Sequence, residues 1–333
     1  LGIEPVWVLP DSSAGELFSG RITAEGVRRA LEKTPEAKAV YITSPDYFGV
    51  ISDVEAIAAV TREFGVPLLV DCAHGAHLKF LEKDISPLNL GAAMSAESAH
   101  KTLPVLTGGA WLQIGGESFV PEVRRAMALF GSTSPSYLIL RSLDAANAYI
   151  DNAYSERLRR FIERTDELKR SLSAAEWVVC VSDPLRITLY TPPRGTDGLS
   201  LLAYLEENGV FCEYASPEHL VMMLTPENTE EELEKVKSLL ISYEKRPPQI
   251  PPSFTLPEAE RVMSVRDAAL APSETIPSAD AAGRVLASPC VSCPPAVSCA
   301  VSGERLSAGH IRILKHYGIK TVRVVCTADE THG

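Results

Sequence analysis

The feature that most constrains the fold is an alternation of short branched apolar runs with an amphipathic helix. Residues 39–43 (AVYIT) and 66–70 (VPLLV) are such runs, and the pattern from 54 to 64 between them predicts a helix that Asp53 caps. Two strands joined by a crossover helix pair in parallel, with a right-handed connection. The chain is therefore predicted to be an α/β protein built on a parallel sheet.

Charged residues follow two of the predicted strands. Asp71 comes directly after the second run, and a further run at 92–96 (AAMSA) precedes Lys101. Open α/β sheets bind ligands at the carboxyl ends of their strands. An amine that attacks a carbonyl, beside a carboxylate that keeps a pyridine nitrogen protonated, is the pair that a pyridoxal phosphate (PLP) enzyme uses. The ordinary alternatives are a turn or cap role for Asp71 and a solvated surface position for Lys101.

Several segments resemble those of one family, in the same order along the chain. Residues 70–77 (VDCAHGAH) resemble the DEAHGAH segment of the Orn/Lys/Arg decarboxylases, and residues 98–104 (SAHKTLP) resemble their STHKTLP segment. Residues 44–50 (SPDYFGV) resemble SPTYYGV, residues 131–137 resemble the opening of the long helix after the sheet, and residues 293–305 resemble YPPGIP…PGER. Several motifs at consistent spacing are more specific than one short match.

The resemblance implies a fold, a cofactor and a reaction. The family has the fold type I PLP-dependent transferase architecture, so a partial large domain of that fold is expected here, with pyridoxal 5'-phosphate as the cofactor. The implied reaction is decarboxylation of arginine, lysine or ornithine to the amine and CO2, a step of polyamine metabolism. The resemblance also implies a homodimer or higher homo-oligomer. Nothing in the sequence separates the three substrates.

The resemblance also assigns the site residues. Lys101 is the expected Schiff-base lysine, and Asp71 is the expected partner of the pyridine nitrogen. His74 is expected to contact the cofactor or the substrate carboxylate. The other expected contacts are Ala73 against the ring, Ser98 and His100 at the phosphate, Thr133 at the phosphate of a neighbouring subunit, and Glu304 at a basic substrate group, with a surface loop as the alternative for Glu304.

Departures from the family leave other hypotheses open. In the family, an upstream segment with a phosphate-binding turn and a ring-stacking histidine precedes the region comparable with residues 1–8, and neither feature has a counterpart here. Helix N-terminal amides supply most phosphate donors, so weak PLP binding is expected without that segment. The alternatives to an active decarboxylase are a truncated, catalytically impaired homologue with a structural role and another fold type I reaction, such as transamination.

The sequence pattern divides the chain into three predicted parts. Residues 1–150 form the PLP-binding large domain, incomplete at its N-terminus, residues 151–246 form a small α+β domain, and residues 247–333 comprise a proline-rich linker and a C-terminal domain. The other predicted elements are helices at 23–33, 137–149 (capped within 132–134), 151–172, 199–208 and 229–243, and strands at 1–8, 177–182, 186–190, 210–214 and 219–224.

Composition excludes some function classes. A net charge of −11 argues against nucleic acid as a partner, because nucleic acid favours basic patches. No apolar run approaches the roughly 18 residues that span a bilayer, and no secretion signal is visible. The seven scattered cysteines indicate reduced thiols and a cytoplasmic protein. Cys290, Cys293 and Cys299 have spacing compatible with zinc, but no fourth ligand has fitting spacing, His310 being the nearest candidate, so no metal is expected. His77 is predicted to be a packed structural histidine.

Overall fold

The computed structural model describes residues 2–10, 21–180, 182–292 and 297–327, with the backbone alone at 290–292. The first sheet contains β1 (Val40–Thr43), β2 (Leu68–Asp71), β3 (Met94–Glu97) and β4 (Trp111–Ile114), in that spatial order. Neighbouring strands in the first three positions are parallel, and β4 is antiparallel to β3. The predicted α/β class and parallel pairing are confirmed, with an antiparallel edge strand added.

Two helices cover one face of this sheet. They are α1 (Ala24–Lys33), capped by the Thr23 side chain, and α2 (Val54–Glu63), capped by Asp53 as predicted. Apolar residues of both helices, including Val27 and Ile57, form one cluster with alternate residues of β1 and β2. Alternation sends the intervening strand residues to the opposite face, where Tyr41 is 65% exposed.

The short helix α3 (Ala99–Thr102) lies between β3 and β4, and a helical region follows the sheet. That region contains α4 (Val120–Phe130), α5 (Tyr137–Tyr149), a π-helical turn (Ile150–Tyr154) and α6 (Ser155–Ala174). The side chain of Ser136 caps α5, so the predicted cap within 132–134 is wrong. An N-cap must directly precede the first helical residue, and the helix begins at Tyr137. Exposed apolar side chains gather along α4 and α5, at Met127, Leu129, Phe130, Tyr137 and Leu138.

A second sheet follows, with β5 (Val178–Val179), β6 (Arg186–Tyr190), β7 (Tyr214–Ala215) and β8 (His219–Met223), in the order β5-β6-β8-β7 and wholly antiparallel. The helices α7 (Gly198–Glu207) and α8 (Glu230–Ser242) accompany it, and α8 starts with the predicted capping box of Thr229 and Glu232. The predicted strand at 210–214 begins later than expected, at Tyr214. Phe211 before it is 82% exposed.

In its described residues, the last part of the chain has two α-helices and six short strands, and the strands form antiparallel pairs. The elements are β9 (Glu260–Arg261), α9 (Val265–Leu270), β10 (Ser273–Pro277), β11 (Cys290–Ser292), β12 (Ser298–Val301), β13 (Glu304–Arg305), α10 (Ala308–His316) and β14 (Thr321–Val325). The pairs are β10 with β14, β11 with β12, and β13 with β9. They enclose their own apolar cluster around Leu286, Leu314 and Val324.

The three predicted domain boundaries remain a prediction. The largest apolar cluster joins Ala99 and Leu103 of the first part to Leu158 of α6 and to the second sheet. The strand predicted at residues 1–8 is wrong, because Gly2–Pro10 form no strand and Trp7 is 58% exposed. A strand needs a neighbour that accepts its backbone hydrogen bonds, and branched apolar residues alone do not provide one.

Among the described residues, no helix is both long and apolar enough to cross a bilayer. Within the same residues, no cluster of three or more histidine, cysteine, aspartate or glutamate side chains could hold a metal ion. Of the predicted cysteine cluster, Cys293 lies outside the described residues, and Cys290 is described by its backbone alone. Cys299 is buried.

Candidate active site

The carboxyl ends of β2 and β3 place a carboxylate near an amine. Asp71 is the last residue of β2 and pairs with Ala96 of β3, five residues before Lys101. One carboxylate oxygen, Oδ1, accepts the backbone N–H of Ala73 at 3.0 Å, and Oδ2 accepts the hydroxyl of Tyr41 at 3.2 Å. Burial, followed by the charge of Asp71, raises the pKa of Tyr41 to about 12, so this hydroxyl stays a donor.

Lys101 lies in the short helix α3 and contacts an imidazole. Its Nζ atom is 3.0 Å from Nε2 of His74. Burial lowers the pKa of Lys101, and the positive charge of Arg186 adds to that effect, while the negative charge of Asp71 opposes it. A lysine with a lowered pKa has a larger fraction of free amine at neutral pH, which is the form that attacks carbonyl carbon.

His74 is 5% exposed and bridges two basic groups. Its Nε2 atom faces Lys101, and its Nδ1 atom accepts a hydrogen bond from the guanidinium of Arg186. The ring of Tyr47 packs edge-on against it, with the ring centroids 5.3 Å apart. Burial, then the charges of Arg186 and Lys101, lowers the pKa of His74 to about 3, so the ring is neutral at physiological pH.

A buried contact between a carboxylate and an imidazole lies behind His74. Oδ1 of Asp183 is 3.0 Å from Nε2 of His77 and accepts the backbone N–H of Leu185 at 2.8 Å. Both side chains are fully buried, as is Arg186 at the start of β6. Burial by itself raises the pKa of Asp183, but the charges of His77 and Arg186 outweigh it and the net shift is downward. His77 is thus packed, as predicted, and its partner comes from the second sheet.

The loop 44–50 closes over this arrangement. Oδ1 of Asp46 accepts the backbone N–H of Val50 at 2.8 Å, and the Gly49 carbonyl accepts the N–H of Asp183 at 3.0 Å. A Cβ atom at Gly49 would lie 2.5 Å from Cγ of Arg186, so only glycine fits here. The positive φ of 90° at Gly49 has the same requirement.

Sequence reasoning missed Asp183 and Arg186. Two charged residues three apart directly before the apolar run 187–190 were a usable signal, because charged side chains are rarely fully buried unless paired. Their distance in sequence from the Asp71 and Lys101 segments hid the connection, since Arg186 lies 112 residues from His74.

The other predicted site residues occupy different environments. Ala73 is in the turn after β2, and Ser98 directly precedes α3. Nδ1–H of His100 donates to the Gly109 carbonyl at 2.8 Å, so Nε2 of the neutral ring carries a lone pair and no proton. Thr133 is exposed. Their predicted cofactor contacts stay predictions.

Glu304 is neither exposed nor in a loop, although the sequence predicts a loop position. It lies in β13, not in a loop, and is 7% exposed. Its Oε2 atom accepts the backbone N–H of Val301 at 2.9 Å. This carboxylate therefore ties together the turn between β12 and β13 of its own module, and its predicted contact with substrate stays untested.

Burial of neutral His74 predicts a pH-dependent stability. The pKa of His74 is about 3 in the folded chain and about 6.5 when unfolded, so between these values the unfolded state binds more protons. The contribution is complete above pH 6.5 and is lost as pH falls toward 3. Between pH 7.5 and pH 5, we expect the unfolding free energy of the wild type to fall by about 2 kcal/mol more than that of His74→Asn, measured by urea denaturation. Above pH 7.5 the two slopes should coincide, and identical slopes below it would contradict a buried neutral His74.

Comparison with known proteins identifies the family. Residues 1–191 match the family described as Orn/Lys/Arg decarboxylase, major domain. The chain belongs to the Orn/Lys/Arg decarboxylase family. It is 32% identical to uncharacterized protein YaaO of Bacillus subtilis, over 94% of this chain and 68% of that protein. It is 27% identical to an arginine decarboxylase of Halalkalibacterium halodurans, over 99% of this chain and 72% of the relative.

Solved structures agree on the fold of this family member. Lysine decarboxylase A from Pseudomonas aeruginosa superposes with a TM-score of 0.76 at 16% identity, covering 94% of this chain. Serine palmitoyltransferase of Sphingomonas wittichii gives 0.56 at 15% identity over 66% of this chain. The predicted fold class is confirmed. The chain spans 59% of the lysine decarboxylase A structure and 61% of the Escherichia coli constitutive lysine decarboxylase structure.

Proposed function

We propose that this chain takes part in PLP-dependent decarboxylation of a basic amino acid, namely arginine, lysine or ornithine. The observation that carries the proposal is the contact of the Lys101 amine with neutral His74, beside Asp71 at the neighbouring strand end. Membership in a decarboxylase family supports the reaction class. Measuring CO2 release from each amino acid distinguishes the three substrates.

The residues present fit the reactive parts of PLP. A lysine whose pKa burial lowers can form the covalent bond to the aldehyde carbon, and a carboxylate at the strand end can hold a proton on the pyridine nitrogen. Ala73 leaves room for a ring, and the hydroxyl of Ser98 can donate a hydrogen bond toward a phosphate. The single N–H of a neutral His100 ring is already donated to the Gly109 carbonyl, so His100 fits a phosphate less well than the sequence predicts. When bound, PLP supplies the electron sink that decarboxylation needs.

The chain's own residues have three tasks in this proposal. Lys101 would hold the cofactor through its amine, which is the group that attacks a carbonyl. Asp71 would keep a proton on the pyridine nitrogen, and its carboxylate is held in orientation by Ala73 and Tyr41. The edge-on contact of Tyr47 limits where the imidazole of His74 can lie, and His74 is the side chain that contacts Lys101.

A second carboxylate supports a basic substrate. Glu213 directly precedes β7, and its Oε1 atom accepts the hydroxyl of Tyr47 at 2.9 Å. Its negative charge raises the pKa of Lys101, against the dominant lowering by burial, so it lies close enough to the amine to influence a ligand there. An exposed carboxylate next to the reactive amine favours a substrate with a positively charged side chain.

The experiment compares basic and neutral amino acids. The chain with PLP is given arginine, lysine, ornithine and norleucine, the neutral analogue of lysine, and CO2 and amine products are measured. We expect CO2 from at least one basic amino acid, and Glu213→Gln should raise its KM about fivefold, the value of a partly exposed charge pair. The norleucine rate, if measurable, should not change.

The matched control is Glu227→Gln. Glu227 is also an exposed carboxylate that accepts a tyrosine hydroxyl, that of Tyr149, but it lies beside α5 and α6. It should leave KM unchanged. A keto acid in place of CO2 would point to transamination instead, and no turnover by chain that binds PLP tightly would contradict the proposed reaction.

A homodimer and a cytoplasmic location remain predictions from the sequence. The exposed apolar side chains on α4 and α5 support a dimer, because side chains of this kind are commonly covered in contact surfaces. Phe130 and Leu138 are each 73% exposed within it.

A further inference from the structure

A line of polar contacts connects the second sheet to Lys101. Arg186 of β6 donates to Nδ1 of His74, and Nε2 of His74 is 3.0 Å from Nζ of Lys101. Arg186 and His74 are both buried, so water does not readily replace these contacts. The proton positions along this line follow from what each group can donate.

A guanidinium donates hydrogen bonds and cannot accept them, and it stays protonated in proteins. Nδ1 of His74 must therefore carry a lone pair. A neutral imidazole with a lone pair on Nδ1 has its proton on Nε2. That proton points at Lys101, so the contact is favourable only when Nζ has a lone pair of its own, as a free amine does and an ammonium does not.

The reverse arrangement fails at the other end. If Lys101 were an ammonium donating to Nε2, the imidazole proton would be on Nδ1 and would face the N–H groups of Arg186. Two donors would then meet in a buried site, where an unsatisfied polar group costs about 1–3 kcal/mol. The downward pKa shifts of His74 and Lys101 agree with the first arrangement.

We propose that Arg186 is a positioning residue that selects the Nε2–H tautomer of His74 and thereby holds Lys101 as a free amine. It rests on the proposed function only for the use of that amine as a nucleophile. The second sheet thus prepares the lysine before any ligand arrives.

The surroundings of Arg186 hold its guanidinium in place. Asp183 and the N–H of Leu185 form a tight turn before β6, and His77 pairs with the same carboxylate. Gly49 lies directly against the aliphatic part of Arg186. The turn fixes where β6 starts, and Gly49 packs on the aliphatic part of Arg186, so its direction toward His74 is set by packing of the second sheet on the loop 44–50.

The first measurement is the tautomer itself. Nitrogen-15 NMR of histidine-labelled chain without cofactor distinguishes Nε2–H from Nδ1–H imidazole, and His74→Phe assigns the His74 signal among the seven histidines. We expect the Nε2–H form in the wild type and a mixture in Arg186→Met. Arg186→Lys keeps a charged donor and should restore the wild-type form in part. A wild-type Nδ1–H signal would overturn the proposal.

The second measurement is the reactivity of Lys101. Acetic anhydride labels free amines, and peptide mass spectrometry gives the labelling rate of Lys101 against pH. We expect Arg186→Met and His74→Phe each to lower that rate about fivefold to tenfold at pH 7.5, as loss of one hydrogen bond implies. The double variant should be slowed by clearly less than the product of the two single effects, because both remove the same contact and only the through-space effect of the Arg186 charge is separate.

This cycle separates the hydrogen bond from simple charge repulsion. If the positive charge of Arg186 acted on Lys101 only through space, His74→Phe would leave the rate unchanged, and the proposal would be wrong. Arg194→Met is the folding control. Arg194 is also a buried arginine of the second sheet region, but it donates to the carbonyls of Ala175 and Tyr243, so its loss should leave Lys101 labelling unchanged.

These readouts require neither PLP nor substrate. A wild type with the Nε2–H tautomer and a reactive Lys101 that releases no CO2 would overturn the proposed function and leave this inference intact. Normal decarboxylation with an unreactive Lys101 and an Nδ1–H imidazole would do the opposite.

Discussion

Lys101→Ala is expected to abolish covalent attachment of PLP and to reduce decarboxylation by roughly three orders of magnitude or more, the usual effect of removing a covalent nucleophile. The amine of Lys101 contacts neutral His74 and has a pKa lowered by burial, so it is prepared to attack a carbonyl. Borohydride reduction followed by peptide mass spectrometry measures attachment, and CO2 release measures turnover.

Lys169 offers a matched control for this variant. It is a lysine of α6 whose pKa burial also lowers, but its Nζ donates to the carbonyls of Asp183 and Pro184. Lys169→Met should lower stability and leave the labelled peptide at Lys101. A borohydride-trapped adduct that persists in Lys101→Ala would show that another amine binds the cofactor.

Asp71→Asn is expected to reduce kcat by roughly two to four orders of magnitude, the range for a group that positions a proton, while the Kd for PLP changes by about tenfold or less. The amide keeps an oxygen that can accept from Ala73, so the turn after β2 is preserved. What disappears is the negative charge that favours a protonated pyridine nitrogen. Steady-state kinetics and PLP titration give the two values.

Asp53→Asn is the control for the same chemical change. Like Asp71, Asp53 accepts a nearby backbone N–H, that of Ala56, but Asp53 caps α2. It should cost at most about 1 kcal/mol of stability and leave kcat unchanged. Equal activity of wild type and Asp71→Asn would reduce Asp71 to a turn residue.

Local patterns predicted much of the first part of the chain. The runs at 39–43 and 66–70 became β1 and β2 in parallel, and Asp53 caps the helix between them. These features depend on residues within a few positions of one another, where side-chain period and capping chemistry act directly. Strand length was less predictable, because a strand extends only as far as its neighbour can pair, as Val178–Val179 and Tyr214–Ala215 show.

The sequence alone determined that a carboxylate and an amine follow two strands, because the positions of Asp71 and Lys101 in their segments are local properties. The pairing of those strands side by side was decided by the fold. Only the tertiary structure decided what surrounds the amine. The second sheet packs against the loop 44–50, and this brings Arg186 to His74 and Asp183 to His77. The spacing of apolar residues in the sequence does not indicate which distant strand packs there. The energy of a buried charge depends on the groups that enclose it, so the lowered pKa of Lys101 arises only in the folded chain.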